Sequence, residues 1–310
     1  MARFFVIGSL ALAALSHTCL SVTLVSDGFD DAGRTNGADA LDAAWFETNA
    51  ASNTSIQSAF ASGAVFEGNN SLVFDAASIF RGIVGVFGST SLGAVGSGSD
   101  TLTLSFDFRL VGGISSNGAG FRFGLYNDNG TSFTGDGNPA DTTSQATDDF
   151  GYRAAFGTGS SSGRDMSRDN GGGDGGILSG SDNVGLALSS STSLALNDNN
   201  PHSAVFAVSR TGALTFSLRA QVFSGTGGTG SVIGEASVSN ETPPNGSFVT
   251  FNEIGIGFGN ANNDFAIDNV LLTGNVPEPS TLCLLAVAGA LTAVRRRRNP
   301  SKSNPRILPI

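Results

Sequence analysis

The sequence predicts an all-β protein, built as an antiparallel β-sandwich or jelly roll, and three observations favour this class. Glycine accounts for 43 of the 310 residues, about twice its usual share, and glycine destabilises the interior of a helix. Apolar and polar residues alternate with a period of two in several segments, as they do in a strand with one buried face. No segment between the two ends of the chain shows the helical period.

The clearest strand is predicted over residues 101–110 (TLTLSFDFRL), where leucine and phenylalanine alternate with polar residues. A second strand is predicted over residues 120–126, and the link between them, rich in glycine, serine and asparagine, indicates a hairpin. Further strands are predicted at residues 71–74, 80–87, 151–156, 203–209, 213–222, 231–238, 248–258 and 265–272. Many short strands separated by polar turns favour a sandwich over a parallel sheet.

Two segments of the body do not fit this pattern. Residues Asp39–Phe46 are predicted to form one short helical turn around Trp45. Residues Gly157–Gly185 are rich in glycine and poor in apolar residues, which predicts a long surface loop. No boundary divides the body convincingly, so residues 22–275 are predicted to form a single β-sandwich domain.

Charge and cysteine are distributed unevenly along the chain. The body carries nine basic and 25 acidic residues, a net charge of −16, whereas six basic residues follow residue 294. Because an acidic surface repels a phosphate backbone, no nucleic-acid partner is expected. The two cysteines, Cys19 and Cys283, fall in the terminal segments, so the body has no disulfide, cysteine metal site or thiol nucleophile.

The N-terminus has the pattern of a secretory signal peptide. A basic residue near the start precedes an uncharged apolar run over residues 4–15, and small and polar residues follow. The run is too short for a stable membrane span. We therefore assign residues 1–21 to a signal peptide, with cleavage after Ser16 and after Ser21 both open. A lipoprotein anchored at Cys19 is the alternative.

The C-terminus combines three features in a fixed order. These are Pro277, Glu278 and Pro279, then an uncharged apolar segment over Thr281–Val294, then Arg295, Arg296, Arg297 and Arg298. As a short transmembrane helix, the apolar segment would span about 21 Å, less than a hydrocarbon core of about 30 Å. The arginines are expected to stay on the cytoplasmic side, which places the body outside. The prolines keep the preceding chain extended and accessible to an enzyme.

This arrangement over residues 276–298 closely resembles the PEP-CTERM sorting signal of Gram-negative bacteria. The resemblance implies export across the inner membrane, transient anchoring, recognition by an exosortase-type processing enzyme, and delivery to the cell surface or an extracellular matrix. Residues 299–310 form a basic tail that extends beyond the family pattern. A tail that is kept as a permanent anchor is the alternative.

The body resembles the concanavalin A-like lectin/glucanase jelly rolls. The resemblance is carried by an opening strand at residues 25–31 (VSDGFDD), a central hairpin at 201–217, and a closing segment at 251–274 that contains Ile-Asp-Asn-Val. It implies that the first and last strands lie together and that the class of ligand is a carbohydrate.

Candidate catalytic chemistry in the body is sparse. The glucanases that the body resembles commonly use glutamates spaced as Glu-x-Asp-x-x-Glu, and no two glutamates of the body share that spacing. No Gly-x-Ser-x-Gly elbow joins a strand to a helix, and His202, beside Pro201, is interpreted as a turn residue. We therefore assign no catalytic residue. The scarcity of tryptophan and tyrosine disfavours an aromatic sugar platform.

Calcium is the metal that the sequence favours, because oxygen ligands are abundant. Candidate ligands are Asp165, Asp169 and Asp174 in the glycine-rich segment, or the turn at Asn127–Asn129. No other cofactor is expected. The sequence thus predicts an exported, non-enzymatic cell-surface or extracellular-matrix protein. The alternative is a lectin-like module that acts on exopolysaccharide, and a glycoside hydrolase is the third interpretation.

Overall fold

The structure, a computed structural model, describes residues 20–35, 39–48, 54–57, 70–75, 81–93, 100–111, 117–136, 148–171, 177–178, 183–192, 194–244, 246–258 and 264–276. Within these residues, two β-sheets pack face to face around one main hydrophobic core. The helical structure among them is a 3-10 turn at Gly246–Val249. The predicted all-β antiparallel sandwich is confirmed.

The first sheet contains nine of the described strands. They are β1 (Leu20–Asp27), β3 (Thr54–Gln57), β4 (Ser71–Asp75), β6 (Thr101–Val111), β11 (Ser190–Thr192), β13 (His202–Arg210), β14 (Phe216–Phe223), β15 (Val232–Glu241) and β17 (Asp264–Val276). Their order is β11-β15-β14-β13-β6-β17-β4-β3, with β1 also paired to β17. All of these pairs are antiparallel.

The second sheet contains eight of the described strands. They are β2 (Ala44–Glu47), β5 (Arg81–Ser91), β7 (Asn117–Asn127), β8 (Phe150–Thr158), β9 (Arg164–Asn170), β10 (Asn183–Gly185), β12 (Ala195–Leu196) and β16 (Thr250–Phe258). Their order is β10-β9-β8-β7-β16-β5-β2, and the short β12 pairs with β8 in parallel. The chain crosses between the sheets repeatedly, as expected of a jelly roll.

Phenylalanine rings from both sheets fill the space between them. The ring centroid of Phe108 in the first sheet lies 4.5 Å from that of Phe121 in the second, and Phe106 lies 5.6 Å from Phe123. Phe265 of β17 stacks on Phe108 at 5.8 Å. All five side chains are buried. Such ring pairs add about 0.5–1.5 kcal/mol each beyond the burial of their area.

The first and last strands of the body lie together, as the resemblance implies. β1 runs antiparallel to β17, with Leu20 opposite Val276 and Asp27 opposite Val270. β17 also pairs with β4 through residues 264–267, and it pairs with β6 along most of its length. The last strand therefore holds three other strands in the first sheet.

The prediction of a helical turn at Asp39–Phe46 is wrong over its second half, because β2 begins at Ala44. β2 pairs with β5, which fixes an extended backbone there. The ring of Trp45 packs directly over Gly85 of β5, and its Nε1 donates a hydrogen bond to Asp27 at 2.7 Å. These tertiary contacts outweigh the weak local preference for a turn.

The prediction of a surface loop over Gly157–Gly185 is also wrong in part, because β9 lies within it and pairs with both β8 and β10. The sequence of β9, RDMSRDN, is polar. Met166 is its one apolar residue and faces the core, while Arg168 forms a salt bridge with Glu241 of β15. The strand therefore lacks the apolar alternation that marks its neighbours.

Among the described residues, no helix is long and apolar enough to cross a bilayer. Residues 1–19 of the predicted signal peptide and the predicted apolar segment after Val276 lie outside the described residues.

Replacing Gly85 tests the packing of the tryptophan. A Cβ on Gly85 would lie 2.8 Å from the ring of Trp45, so Gly85→Ala should lower the free energy of unfolding by about 1–3 kcal/mol. Gly88→Ala on the same strand is the control, because its Cβ would meet nothing within 4 Å. Urea unfolding, followed by the fluorescence of Trp45, the only tryptophan in the chain, measures the free energy of unfolding of both variants. Equal stabilities of the two variants would contradict this packing.

Candidate functional site

Both ends of the described body emerge at one place. The register of β1 and β17 puts Leu20 opposite Val276, the residue that directly precedes Pro277. The predicted sorting residues Pro277–Pro279 and Arg295–Arg298 lie outside the described residues. A processing enzyme that acts at the proline motif would therefore work within a few residues of this strand pair.

The outer face of the second sheet is polar at the centre of the sheet. One row of residues across four strands consists of Glu253, Tyr126, Gly151 and Asp169. The next row on the same face consists of Gly255, Gly124, Arg153 and Ser167. Because side chains alternate along a strand, the intervening residues point into the core between the sheets. The face thus brings together carboxylates, a phenol and a guanidinium.

Asp149 and Glu253 form a buried carboxyl pair at one end of this face. Their side chains are 1% and 0% exposed, and three of their four carboxyl oxygens have no hydrogen-bond partner. Burial raises the pKa of both carboxyls. Neighbouring charges raise both pKa values further: Glu253 acts on Asp149, and Asp128 and Asp148 act on Glu253. The pair therefore binds protons more tightly than exposed carboxylates do.

Side chains of the protein itself cover this end of the face. Phe133, Ile177 and Leu178 form a small second core with Tyr126. The missing side chain of Gly255 provides space, because a Cβ there would lie 3.1 Å from Leu178. Two arginines of the face hold the cover in place, since the guanidinium groups of Arg122 and Arg153 both donate to the carbonyl oxygen of Leu178. The carboxyl pair is thereby shut off from solvent.

A cavity of about 420 Å³ lies where the end of β1 meets β17, and we call it the acidic pocket. Its lining includes Asp27, Asp30, Asp31, Asp39, Asp42 and Asn269. Asp27 is already engaged, because it accepts hydrogen bonds from Nε1 of Trp45 and from the backbone N–H of Phe29.

The pKa values of two carboxyl groups in this region are raised, in part because neighbouring aspartates make the local potential negative. Partial burial and the charges of Asp27, Asp39 and Asp31 raise the pKa of Asp42 to about 6. Asp268 of β17 is buried, and its Oδ1 lies near Gly28, which lines the pocket. Its burial, together with the neighbouring charges, of which Asp107 is the strongest, raises its pKa to about 7.

One signal in the sequence points to the acidic pocket. The resemblance assigns the segments 25–31 and 251–274 to the first and last strands and implies that these lie together. Three of the aspartates that line the pocket, Asp27, Asp30 and Asp31, belong to the first of these segments. No comparable signal points to Asp149 and Glu253, because their proximity depends on the order of β7, β8 and β16 in the sheet.

His202 has a structural position at the start of β13. Its Nε2 lies 2.8 Å from Oδ1 of Asp198, and its Nδ1 lies 3.2 Å from the carbonyl oxygen of Phe223. Its ring also packs against Phe108 in the core. Ser203, its neighbour in sequence, donates instead to the carbonyl oxygen of Gly225. Both ring nitrogens are thus engaged, and no nucleophile is paired with them.

The predicted calcium ligands are spread along β9. Asp165 lies 3.8 Å from a guanidinium nitrogen of Arg153, and Asp169 accepts a hydrogen bond from the N–H of Gly171. Four residues along a strand correspond to about 13 Å, so one ion cannot bridge this pair. Asp174 lies outside the described residues. Within the described part of the chain, no three acidic, histidine or cysteine side chains are arranged to hold one metal ion.

In the other predicted calcium segment, Asn127–Asn129, the side-chain oxygens accept hydrogen bonds from backbone N–H groups of the turn. Oδ1 of Asn127 accepts a hydrogen bond from the N–H of Asn129 at 2.9 Å. Oδ1 of Asp128 accepts one from the N–H of Gly130 at the same distance. Such Asx turns are the usual role of these residues in a tight connection.

Residues 275–298 match the family model of the PEP-CTERM protein-sorting motif. The match begins one residue before β17 ends and covers all three features of the predicted tail. This motif indicates export, transient membrane anchoring and processing by an exosortase-type membrane enzyme. No curated protein sequence matches the chain.

Several solved structures resemble the chain distantly. A carbohydrate esterase from Shiga toxin-encoding bacteriophage phi24B is 13% identical over 82% of this chain and 99% of its own, with a TM-score of 0.40. Winged bean acidic lectin is 12% identical over 84% of this chain and 100% of its own, with a TM-score of 0.42. The PL-14 alginate lyase from Aplysia kurodai is 11% identical over 71% of this chain and 86% of its own, with a TM-score of 0.39.

Replacing Glu253 tests the buried carboxyl pair. Folding raises the pKa of Glu253 to about 8. Proton binding by Glu253 therefore stabilises the folded state fully below the ordinary carboxyl pKa, and this stabilisation is lost as the pH rises through the raised pKa. Glu253→Gln cannot ionise, so its stability relative to the native protein should increase from about pH 5 to about pH 9. Each pKa unit corresponds to about 1.4 kcal/mol of this difference.

Glu235→Gln is the matched control, because Glu235 lies near the surface of β15 beside Arg219. Urea unfolding of the three proteins at several pH values measures the effect. A constant difference between Glu253→Gln and the native protein across that range would show that Glu253 is not held protonated by burial.

The register of the terminal strands also favours one of the two open signal cleavage sites. Cleavage after Ser21 would remove two residues of β1, which pair with Asn275 and Val276. Cleavage after Ser16 would leave the strand whole. We expect the mature chain to begin at His17, as intact-mass measurement of the exported protein would show.

A chain that begins at Val22 should be less stable by about 1–2 kcal/mol than one that begins at His17, since backbone hydrogen bonds contribute about 0.5–1.5 kcal/mol each. Equal unfolding midpoints of the two forms would show that the first two residues of β1 do not contribute.

Proposed function

We propose that this protein is a non-enzymatic component of the cell surface or extracellular matrix, delivered there by its C-terminal sorting motif. The observation that carries the proposal is the match of residues 275–298 to that motif, directly at the end of the last strand. The sandwich is then the cargo, and the tail is the signal that is removed.

Two features support a non-enzymatic role. The carboxyl pair of Asp149 and Glu253 is closed off from solvent by the protein's own side chains. Paired carboxyls act on a glycoside only when a substrate and a water molecule reach them. Both ring nitrogens of His202 are within hydrogen-bond distance of other groups, and Ser203 donates to Gly225 rather than to this ring. His202 and Ser203 therefore do not form a base and nucleophile pair.

The partner that we propose within the matrix is a polysaccharide, contacted through polar turns rather than aromatic rings. Trp45, Tyr126 and Tyr152 are all fully buried and cannot stack on a sugar. Exposed amide side chains such as Asn129 and Asn200 offer hydrogen bonds instead. Co-sedimentation of the purified protein with exopolysaccharide extracted from its host tests this partner. Protein that stays in the supernatant would contradict binding to that polysaccharide.

The sorting role is tested by replacing the prolines of the motif. In a host that contains an exosortase, we expect the exported native protein to lack its arginine cluster, as intact-mass measurement would show. The double replacement Pro277→Ala and Pro279→Ala should retain the tail and remain in the membrane fraction, because the extended segment presented to the enzyme is altered.

A matched control replaces Pro243 and Pro244, which lie between β15 and β16, by alanine. This control should be processed like the native protein. A native surface protein that keeps Arg295–Arg298 in the presence of an exosortase would overturn the proposed processing.

A further inference from the structure

We propose that the enzyme that removes the C-terminal tail acts only after the N-terminal signal peptide has been hydrolysed from the same chain. This inference rests on the proposed sorting function and adds an order to it. Its basis is the pairing of β1 with β17, which brings the connections to both predicted membrane segments to one point of the folded body.

The two connections between the body and the predicted membrane segments are equally short. Four residues, 16–19, connect the apolar run of the signal peptide to Leu20, where β1 begins. Four residues, 277–280, connect Val276, where β17 ends, to the apolar segment of the tail. Because Leu20 and Val276 are partners in the strand register, the two connections start side by side.

Both membrane segments lead to the body from the outer side of the bilayer. Arg3 before the first segment and Arg295–Arg298 after the second are expected to stay in the cytoplasm. The opposite end of each segment therefore faces outward. Before any cleavage, two connections hold the body to the membrane, and they begin about 5 Å apart, the spacing of neighbouring strands.

These connections leave little room for an enzyme. Four extended residues span at most about 14 Å. The polar layer on one side of a bilayer takes up about 5–7 Å of that distance, so the body lies within about 10 Å of the headgroups. A helix with its side chains is about 10–12 Å wide, so a signal peptide that is still in the bilayer flanks the tail on the side of β1.

The folded body limits access to the tail as well. Gly274 pairs with Val22 of β1 on one side and with Leu102 of β6 on the other. β17 is therefore enclosed between two strands to within two residues of its end at Val276. An enzyme has to reach the proline motif from below the body, and two connections side by side keep the body in place above the motif.

Removal of the signal peptide changes this geometry. Water adds across the peptide bond between Ser16 and His17: the carbonyl carbon of Ser16 takes the hydroxyl group, and the nitrogen of His17 takes the hydrogen. The signal peptide then no longer flanks the tail, and one connection remains. A single connection allows the body to tilt and rotate about residues 277–280, which exposes the motif to the second enzyme.

Substitutions that block signal cleavage test this order without altering β1 or β17. Ser16→Tyr and Cys19→Tyr together put a large residue where each of the two open cleavage sites requires a small one. In a host with an exosortase, tail removal from this variant should fall by about 5- to 30-fold, because the enzyme then depends on fraying of the last strand pairs. Intact-mass measurement of the membrane fraction reports both cleavages.

A spacer provides the matched control. The same variant with twelve glycine and serine residues inserted before Leu20 also keeps its signal peptide. The flexible spacer, with an r.m.s. length of about 17–21 Å, allows the two membrane segments to move apart. Tail removal should then return toward the native level. If the spacer restores no tail removal, the proposal is overturned, because crowding at the strand pair is its basis.

Pulse labelling of the native chain gives a second readout. A form that lacks the signal peptide and keeps the tail should appear first, and a form that keeps the signal peptide and lacks the tail would overturn the order. The double variant Pro277→Ala and Pro279→Ala should still lose its signal peptide. If the tyrosine variant is cut at another site, the pulse labelling decides the outcome by itself.

The outcomes separate this inference from the sorting proposal. A native chain that keeps its tail contradicts the sorting proposal. A tyrosine variant that keeps its signal peptide and loses its tail as fast as the native chain contradicts only the order of the two cleavages.

Discussion

The pairing of the first strand with the last is the constraint on which the arrangement of this molecule depends. β17 joins β6 on one edge and both β4 and β1 on the other, so it connects the two ends of the body in a single sheet. The same pairing puts Leu20, the first described residue, beside Val276, from which the chain continues into the sorting motif. It also creates the acidic pocket, because the end of β1 and the turn after it face Asn269, Val270 and Leu271 of β17. The fold, the sorting motif and the acidic pocket therefore meet at one strand pair.

The high glycine content has a packing role at particular positions on the second sheet. Gly85 makes room for the ring of Trp45, and Gly255 makes room for Leu178 on the opposite face. Gly124 and Gly151 lie where a Cβ would collide with the backbone, because it would meet the carbonyl oxygen of Tyr152 or of Leu125 on an adjacent strand. Where the sheet carries glycine, the space that a side chain would fill is open to large side chains from other segments, on both faces of the sheet. This explains how a chain so rich in glycine still builds two hydrophobic cores.

Buried charge is used differently at the two acidic regions. At Asp149 and Glu253 the protein covers the carboxyls with its own apolar residues, so protonation is the way in which their repulsion is relieved. At the acidic pocket five aspartates line an open cavity, where water and dissolved ions screen their repulsion. Because carboxylates close together repel one another, the pKa of Asp42 in the pocket is also raised, to about 6. Access from solvent therefore decides how strongly each region must rely on protonation.

The sequence by itself determined the fold class, most of the strands with apolar alternation, the pairing of the terminal strands through a resemblance, and the sorting motif. These features are local: alternation along 101–110 shows which face of that strand is buried, and the order of Pro277, Glu278 and Pro279 needs no fold to be recognised. Only the tertiary structure decided that polar β9 is a strand, that Trp45 lies on β2, and that the charge of Glu253 acts on buried Asp149. The physical reason is that a strand's own residues report how it faces water, whereas its neighbours come from distant segments whose order in the sheet depends on the packing of the whole sandwich.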